Sequence, residues 1–443
     1  MATILGTILA FAIVFGVLVF LHEFGHFFMG KFVGIRVEVF SFGYGKRLFG
    51  VKRGDTDYRI SLIPMGGYVR FLGEGLFEKD RPIAQDDFAA KSRLARFGVM
   101  VMGSVMNILL AIVLLAVVNM DGVNVPIYQE QAPVIGWIEA GSPAAAADLK
   151  IDDEILSING RAVKTWADVE LAVGSKPERT LTIEIRRDEA VRSVLVRTEK
   201  RTRYEMGYAG FYGKVLTQAV MVSPDSPAEK AGVKPGDVFV SIDGEPVFYY
   251  KFVETIEGSP DRELVVGIER AGRPLSLRIT PRREGEVGKI GVPVTAQSVL
   301  RKYGPLAAIG ESLRENKRLA FLLVRFVKDL FTGEASPRQL GGPLEIANFS
   351  YAALRMGFMA LLSWIAFISL QLGILNLFPI PVFDGGQIFV LFVESIARRD
   401  LSPKLRQVWM QIGFVIFVAL IGFVILNDVV KRLPHGWASL VPW

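Results

Sequence analysis

The chain has no cysteine, which excludes disulfides and cysteine-ligated metal alike. Histidine is nearly as scarce: there are only three, and two of them, His22 and His26, stand four residues apart. Charge is missing over long stretches. Four runs, roughly residues 4 to 28, 97 to 118, 356 to 383 and 407 to 427, hold no Asp, Glu, Lys or Arg except Glu23. Each is long enough to cross a bilayer, which takes about 20 residues. The N-terminal run also lacks the basic segment of a secretory leader, so it reads as a retained span. Basic residues gather beside the runs and form no stripe, and the formal net charge is only +6. Nucleic acid is therefore not an expected partner, and the lipid bilayer is.

What is present inside the first run is Leu21-His22-Glu23-Phe24-Gly25-His26. On a helix, residues four apart share a face, so both imidazoles can reach one metal ion, and Glu23 stands beside them to take a proton from a metal-bound water. Ionisable side chains in a membrane span are expensive and mark function. The third run ends in Asn376-Leu377-Phe378-Pro379-Ile380-Pro381-Val382-Phe383-Asp384-Gly385-Gly386. Two prolines two residues apart cannot sit inside a regular helix, so the backbone must unwind and line a cavity or be buried in protein. Asp384 then lies at membrane depth. It could cap a helix starting near Gly386. As a third metal ligand it would complete a His, His, carboxylate set and leave one position for water. With no cysteine available and the remaining histidine, His435, expected on the far side, Asp384 is the candidate.

Lys31, Arg36, Lys46, Arg47, Lys91, Arg93 and Arg96 follow the first run, and Arg398, Arg399, Lys404 and Arg406 link the third to the fourth. Residues 119 to 135 contain no Lys or Arg. The positive-inside rule makes both basic links cytoplasmic and puts the termini and central segment on the other side, with Lys431 and Arg432 in opposition. His26 lies about 8 Å along the helix from Lys31, so the site sits within the membrane near its cytoplasmic face. Residues 35 to 72 alternate as strands do, at Ile35 to Phe40, Tyr58 to Ile63 and Tyr68 to Phe71, with bends at Gly43-Tyr44-Gly45, Gly54-Asp55 and Pro64 to Gly67. They form either a plain cytoplasmic hairpin or, through Val37 to Phe40, an edge strand that pairs with an extended substrate.

Between the second and third runs the chain repeats itself. Gly141-Ser142-Pro143-Ala144 through Asn159-Gly160 matches Asp225-Ser226-Pro227-Ala228 through Asp243-Gly244, at an offset of 84 residues. The copies differ where Gly232 and Gly236 of the second face Asp148 and Asp152 of the first. Gly207-Tyr208-Ala209-Gly210-Phe211 suits either a carboxylate cradle or an ordinary turn. Residues 305 to 330 and 343 to 356 read as amphipathic helices, lying on the membrane surface or packed on the repeats.

The repeated motif resembles the PDZ domain. Together with HEFGH in the first span and NLFPIPVFDGG in the third, it makes the whole chain resemble the site-2 proteases. It is most similar to the regulator-of-sigma-E protease family of intramembrane zinc metalloproteases. The resemblance implies a polytopic α-helical membrane protein with four transmembrane helices, a membrane-associated β hairpin or sheet and two inserted β-rich PDZ domains. The expected order begins with a first span at 1–30, a cytoplasmic-side β region and linker at 31–96 and a second span at 97–118. PDZ domains follow at 119–205 and 206–295, then amphipathic helices at 296–355. A third span at 356–384, a cytoplasmic loop at 385–406, a fourth span at 407–430 and a tail at 431–443 complete it. The resemblance further implies that His22, His26 and Asp384 hold Zn2+, that Glu23 is the catalytic base and that Asn376 assists at the cleaved peptide. It also implies that Pro379 and Pro381 shape the site and that the edge near Gly43, Tyr44 and Gly45 holds substrate extended. Gln387 and Phe383 depart from the family pattern, where histidine and leucine are commoner. Expected substrates are single-span membrane proteins, such as an anti-sigma factor already cut by another protease, or remnant signal peptides. The expected location is the bacterial inner membrane, with the PDZ pair outside the cytoplasm, acting either as a size filter or as a receptor for new chain ends. A PDZ adaptor without catalysis would leave the HExxH unexplained. A divalent-metal transporter would need polar groups at several depths, whereas here they gather at one.

Overall fold

The computed structural model describes residues 2–73 and 83–433, so most of the expected tail, with His435, lies outside the described residues. The membrane-related helices, in chain order, are α1 (Ala2–Phe32), α2 (Arg93–Asp121), α3 (Pro305–Phe331), α4 (Pro343–Met356), α5 (Phe358–Leu375), α6 (Asp384–Ala397) and α7 (Pro403–Val430). Of these, α1, α2, α5 and α7 are long and apolar enough to cross a membrane. The boundaries have local causes. Ser92 caps α2 by accepting from the Ala95 amide, Ser402 does the same for Leu405 ahead of α7, and Gly357 enters α5 at φ +117°. Helix α5 ends at Leu375, so the proline segment lies outside it as the sequence requires. The link at 385–406, expected as a loop, is mostly α6.

The chain divides into two units. In the first, Val14 and Leu18 of α1 share a core with Leu361, Ile365 and Ile368 of α5. Ala111 and Leu115 of α2 share another with Ala366 and Leu370. Helix α7 is the least buried of the four. Polar groups hold its ends: Arg406 pairs with the fully buried Glu394 of α6, and Asp428 accepts from the amides of Gly342, Leu344 and Glu345 at 2.9, 3.1 and 3.2 Å. Those amides open α4, where a helix has no internal acceptors for its first N–H groups.

After α1 the alternating stretch forms two long bent strands, β1 (Val37–Arg53) and β2 (Thr56–Phe71), joined at Gly54-Asp55. The expected bend at Gly43 to Gly45 does not end β1. Gly43 takes φ +92°, and a Cβ there would lie 2.7 Å from the Ile63 carbonyl, so the glycine lets the strand kink against its neighbour. This folding corrects one expectation. Phe40 lies beside Val69 on one flank and Tyr58 on the other, and Ser41 lies between Tyr68 and Arg59. Val39 to Phe42 is thus the middle of the sheet, so the expected edge strand at Val37 to Phe40 is not free along Val39 and Phe40. Among the described residues the edges are Gly67 to Arg70 and Arg47 to Arg53.

The second unit comprises Val123–Arg301 and Lys328–Gln339. Its entry and exit strands, Val123–Pro126 and Ser298–Arg301, pair with each other, and Arg301 holds Glu130 with two bonds of 2.6 and 2.7 Å. The two repeats use the same devices. Ser142 and Ser226 each cap the short helix that their proline opens. Asp153 and Asp237, both almost fully buried, bind the amide three residues earlier and a guanidinium, Arg187 or Arg270. Burial alone would raise the Asp237 carboxyl, but Arg270 and the Lys234 amide hold it below the ordinary range. Asn159 and Asp243 each accept from an amide of the facing strand, Thr182 or Val265.

The differences between the copies prove to be conservative. Asp148 and Asp152 adopt φ +58° and +72° where Gly232 and Gly236 adopt +85° and +90°. Aspartate is among the few residues besides glycine that visit this region readily. The boundary between the copies also moves: Phe211–Gly213 pairs with Ile135–Ile138, so the first repeat runs past residue 205. Lys328–Gln339 docks onto it through Lys176 to Asp329 at 3.5 Å and Arg338 to Glu205 at 2.9 Å.

The backbone equivalence predicts that Asp152→Gly leaves the melting midpoint of the isolated insert nearly unchanged. Asp152→Val should destabilise it by about 1–2 kcal/mol, the cost of forcing a branched residue to positive φ. Equal midpoints for the two variants in a thermal melt would contradict it.

Candidate metal centre

Helix α1 carries His22 and His26 on one face, both buried at 8% and 7% exposure. Their Nε2 atoms are 3.2 Å apart. The third group arrives from the opposite end of the sequence. Beyond α5 the chain turns through two tight bends, and the Gly385 amide donates to the Asn376 carbonyl at 2.7 Å. That bond closes the proline loop and sets Asp384 opposite the imidazoles. A Cβ on Gly385 would lie 2.2 Å from the Phe378 carbonyl, so only glycine permits the closure. Asp384 Oδ2 then stands 3.1 Å from His22 Nε2 and 3.4 Å from His26 Nε2. Asn376 comes with the loop, its Nδ2 3.3 Å from His22 Nε2.

Helix α2 closes the other side. A Cβ on Gly25 of α1 would lie 2.5 Å from the Met102 carbonyl, and one on Gly103 would lie 2.4 Å from His26 Nε2 and 2.8 Å from His22 Cε1. The two glycines let the helices approach until α2 touches both rings. Its Val99 carbonyl faces His26 Nδ1 at 2.8 Å, and its Asn107 faces His22 Nδ1 at 3.4 Å.

These contacts test whether the three residues suit a cation. The Val99 carbonyl can only accept, so His26 Nδ1 carries the proton and Nε2 turns a lone pair towards Asp384. With both rings neutral and protonated on Nδ1, the buried Asp384 Oδ2 has no hydrogen-bond donor. Lone pairs facing one another in a buried space are costly unless a cation lies between them. The spacing of 3.1 to 3.4 Å matches the edge of a tetrahedron with ligand bonds of about 2.0 Å, roughly 3.3 Å, and the donor set of two imidazoles and one carboxylate leaves a fourth position open. The residues fit a zinc ion.

His22, Glu23, His26, Asn376, Asp384 and Tyr44 line one cavity of about 250 Å³. Gly67 to Val69 and Phe71 form its β wall, and Met100, Val382 and Phe383 add apolar surface. The Val69 amide faces the Glu23 carboxyl, and Gly67 leaves the Glu23 stem just enough room. Gly43, Gly45, Pro379 and Pro381 do not reach this wall. Pro379 is exposed, and Pro381 is buried against α7, where a Cβ on Gly413 would meet its ring at 2.1 Å. Sequence reasoning missed Gly103, Val99 and Asn107. An asparagine within the uncharged second run was a visible signal for the last of these. The other two act through the absence of a side chain and through a backbone carbonyl, which residue types do not announce.

A family model described as Peptidase family M50 matches residues 10–420. The chain is 32% identical over 454 residues to Protease RseP of Yersinia pestis, covering 97% of this chain and 99% of that one. It is 33% identical over 456 residues to Regulator of sigma-E protease RseP of Escherichia coli strain K12, with the same shares covered. A Putative zinc metalloprotease of Vibrio cholerae is 32% identical over 455 residues, again at 97% and 99%. Among solved structures, the PDZ domain of an SdrC-like protein from Listeria monocytogenes aligns with 19% of this chain and 90% of its own at 16% identity, with a TM-score of 0.17.

The packing of Gly103 on both rings predicts that Gly103→Ala displaces them. Bound zinc in the purified protein, measured by elemental analysis, should fall well below one equivalent. A fully loaded alanine variant would show that α2 does not set the ring positions.

Proposed function

The chain belongs to peptidase family M50, and on that premise we propose that His22, His26 and Asp384 bind zinc within the membrane while Glu23 serves as the catalytic base for cleaving membrane-spanning substrate segments. The observation that carries the reading is the convergence of three ligand atoms within 4.8 Å from the two ends of the sequence, beside a glutamate that shares their cavity. Zinc, when bound there, polarises the scissile carbonyl and lowers the pKa of its water towards about 7. Glu23 takes the proton of the attacking water and delivers it to the leaving amine. Asn376, with its amide nitrogen turned towards the ligand atoms, donates to the developing oxyanion, a contribution of about 3 kcal/mol for such a donor. Phe71, Met100, Val382 and Phe383 exclude bulk water from this step.

The substrates in this reading are single-span proteins. Relatives carry the name regulator of sigma-E protease, and an anti-sigma factor already shortened by another protease fits that role for this chain. The chain is a membrane protein. Its proposed place is the bacterial inner membrane, with the site near the cytoplasmic face, as the Lys and Arg distribution indicates. The PDZ-like repeats would then stand outside the cytoplasm, as a size filter for substrates or a receptor for new chain ends. The strand that would receive the unwound substrate is Gly67 to Arg70. It borders the cavity, its Val69 amide points at Glu23, and no further strand pairs with it among the described residues.

Glu23→Gln should lower cleavage of a labelled single-span peptide by several orders of magnitude while zinc content stays at one equivalent. Turnover within a few fold of the parent would remove Glu23 from the reaction. Val69→Pro, which deletes an amide from the proposed edge, should cut turnover at least tenfold with zinc retained. Unchanged turnover would reduce the strand to scaffold.

A further inference from the structure

Asn107 lies near the middle of α2, in a run with no charged residue, and is fully buried. A primary amide in such a place must find partners, because an unsatisfied polar group in an apolar interior is costly. Its backbone carbonyl accepts from the Ser369 hydroxyl at 2.8 Å. Its side chain touches His22: Nδ2 lies 3.4 Å from His22 Nδ1, and Oδ1 has no partner.

That orientation conflicts with the ring it faces. His22 directs Nε2 to Asp384 and His26, so a ligand lone pair belongs on Nε2 and the proton on Nδ1. Two donors then meet at 3.4 Å while an acceptor sits unused on the same amide. The oxygen and nitrogen of an asparagine amide are assigned from their surroundings, and exchanging them gives the His22 Nδ1–H an acceptor. The arrangement then mirrors the one at His26, whose Nδ1 donates to the Val99 carbonyl of the same helix at 2.8 Å.

We propose that Asn107 is a positioning residue that accepts a hydrogen bond from His22 Nδ1–H through its side-chain oxygen, fixing the ring in the tautomer that offers Nε2 to the metal. Helix α2 thereby supplies an acceptor to each imidazole, by backbone at residue 99 and by side chain at residue 107. Such outer partners of ligating histidines typically tune metal affinity 10–100-fold. The inference rests on the zinc reading of the site.

The test compares Asn107→Leu, which keeps the shape and removes the acceptor, with Asn107→Asp, which keeps an acceptor in place. Zinc affinity is measured by competition with a chromogenic chelator on the full chain in detergent, with His22→Ala as the control for the site itself. The leucine variant should bind zinc 10–100-fold more weakly and the aspartate variant within a few fold of the parent. Parental affinity in the leucine variant would overturn the proposal. So would equal losses in both variants, which would mark Asn107 as packing only. Should His22→Ala bind zinc as tightly as the parent, the zinc reading itself fails, a result distinct from either of these. Nitrogen NMR of labelled histidine adds a readout that packing alone would not move: the neutral His22 ring should be the Nδ1–H tautomer in the parent and lose that preference in Asn107→Leu.

Discussion

Everything in the membrane unit depends on one requirement, that a carboxylate and two imidazoles share a buried space. Any of the three alone would be an unpaid desolvation cost, so the fold must bring them within contact distance and keep them there. It does so with backbone and small residues. Gly25 and Gly103 let α1 and α2 approach until α2 touches both rings, and Gly385 closes the proline loop on Asn376. Side chains with more volume would have pushed the three ligand atoms apart, and the carboxylate would then have lost the partners that make its burial tolerable.

The insert solves a different problem by related means. Its short turns need positive φ at defined places, and the two copies meet that need with different residues, aspartate at 148 and 152 and glycine at 232 and 236. Measured by residue identity the first copy looks degraded. Measured by backbone conformation, caps and the buried Asp–Arg clasp, it is a full equivalent of the second. Chemistry that tolerates the same dihedral is the relevant likeness.

This explains which parts were legible in the sequence. The spans, the HExxH face, the unwound proline segment and the place of Asp384 follow from charge cost, helix period and proline sterics, all of which are local. The internal repeat was equally readable, because turn residues recur at a fixed offset. The edge of the hairpin was not. Alternation assigns Val37 to Phe40 to a strand, but which strand is central depends on how β1 and β2 double back, and bends absorbed at Gly43 and at residues 64 to 67 carry no signature of that order. Likewise nothing local links Lys328 to Gln339 with the first repeat, since the ion pairs that dock it join residues more than a hundred positions apart.

The hairpin order bears on the reaction as well as the fold. A substrate helix satisfies its own backbone groups, and in an apolar medium those groups cannot be released one by one into solvent. Unwinding is feasible only where another backbone takes over the hydrogen bonds as they break. A strand in the middle of a sheet has none to offer. Gly67 to Arg70 has a flank on which no strand pairs among the described residues, and it is the flank that runs past Glu23. Glu23, the proposed base, and the strand that would present the peptide are thus coupled through one amide, that of Val69. In the proposed reaction, whatever aligns substrate on the strand would also set its carbonyl beside the glutamate, so that unwinding and attack would be consequences of the same contact.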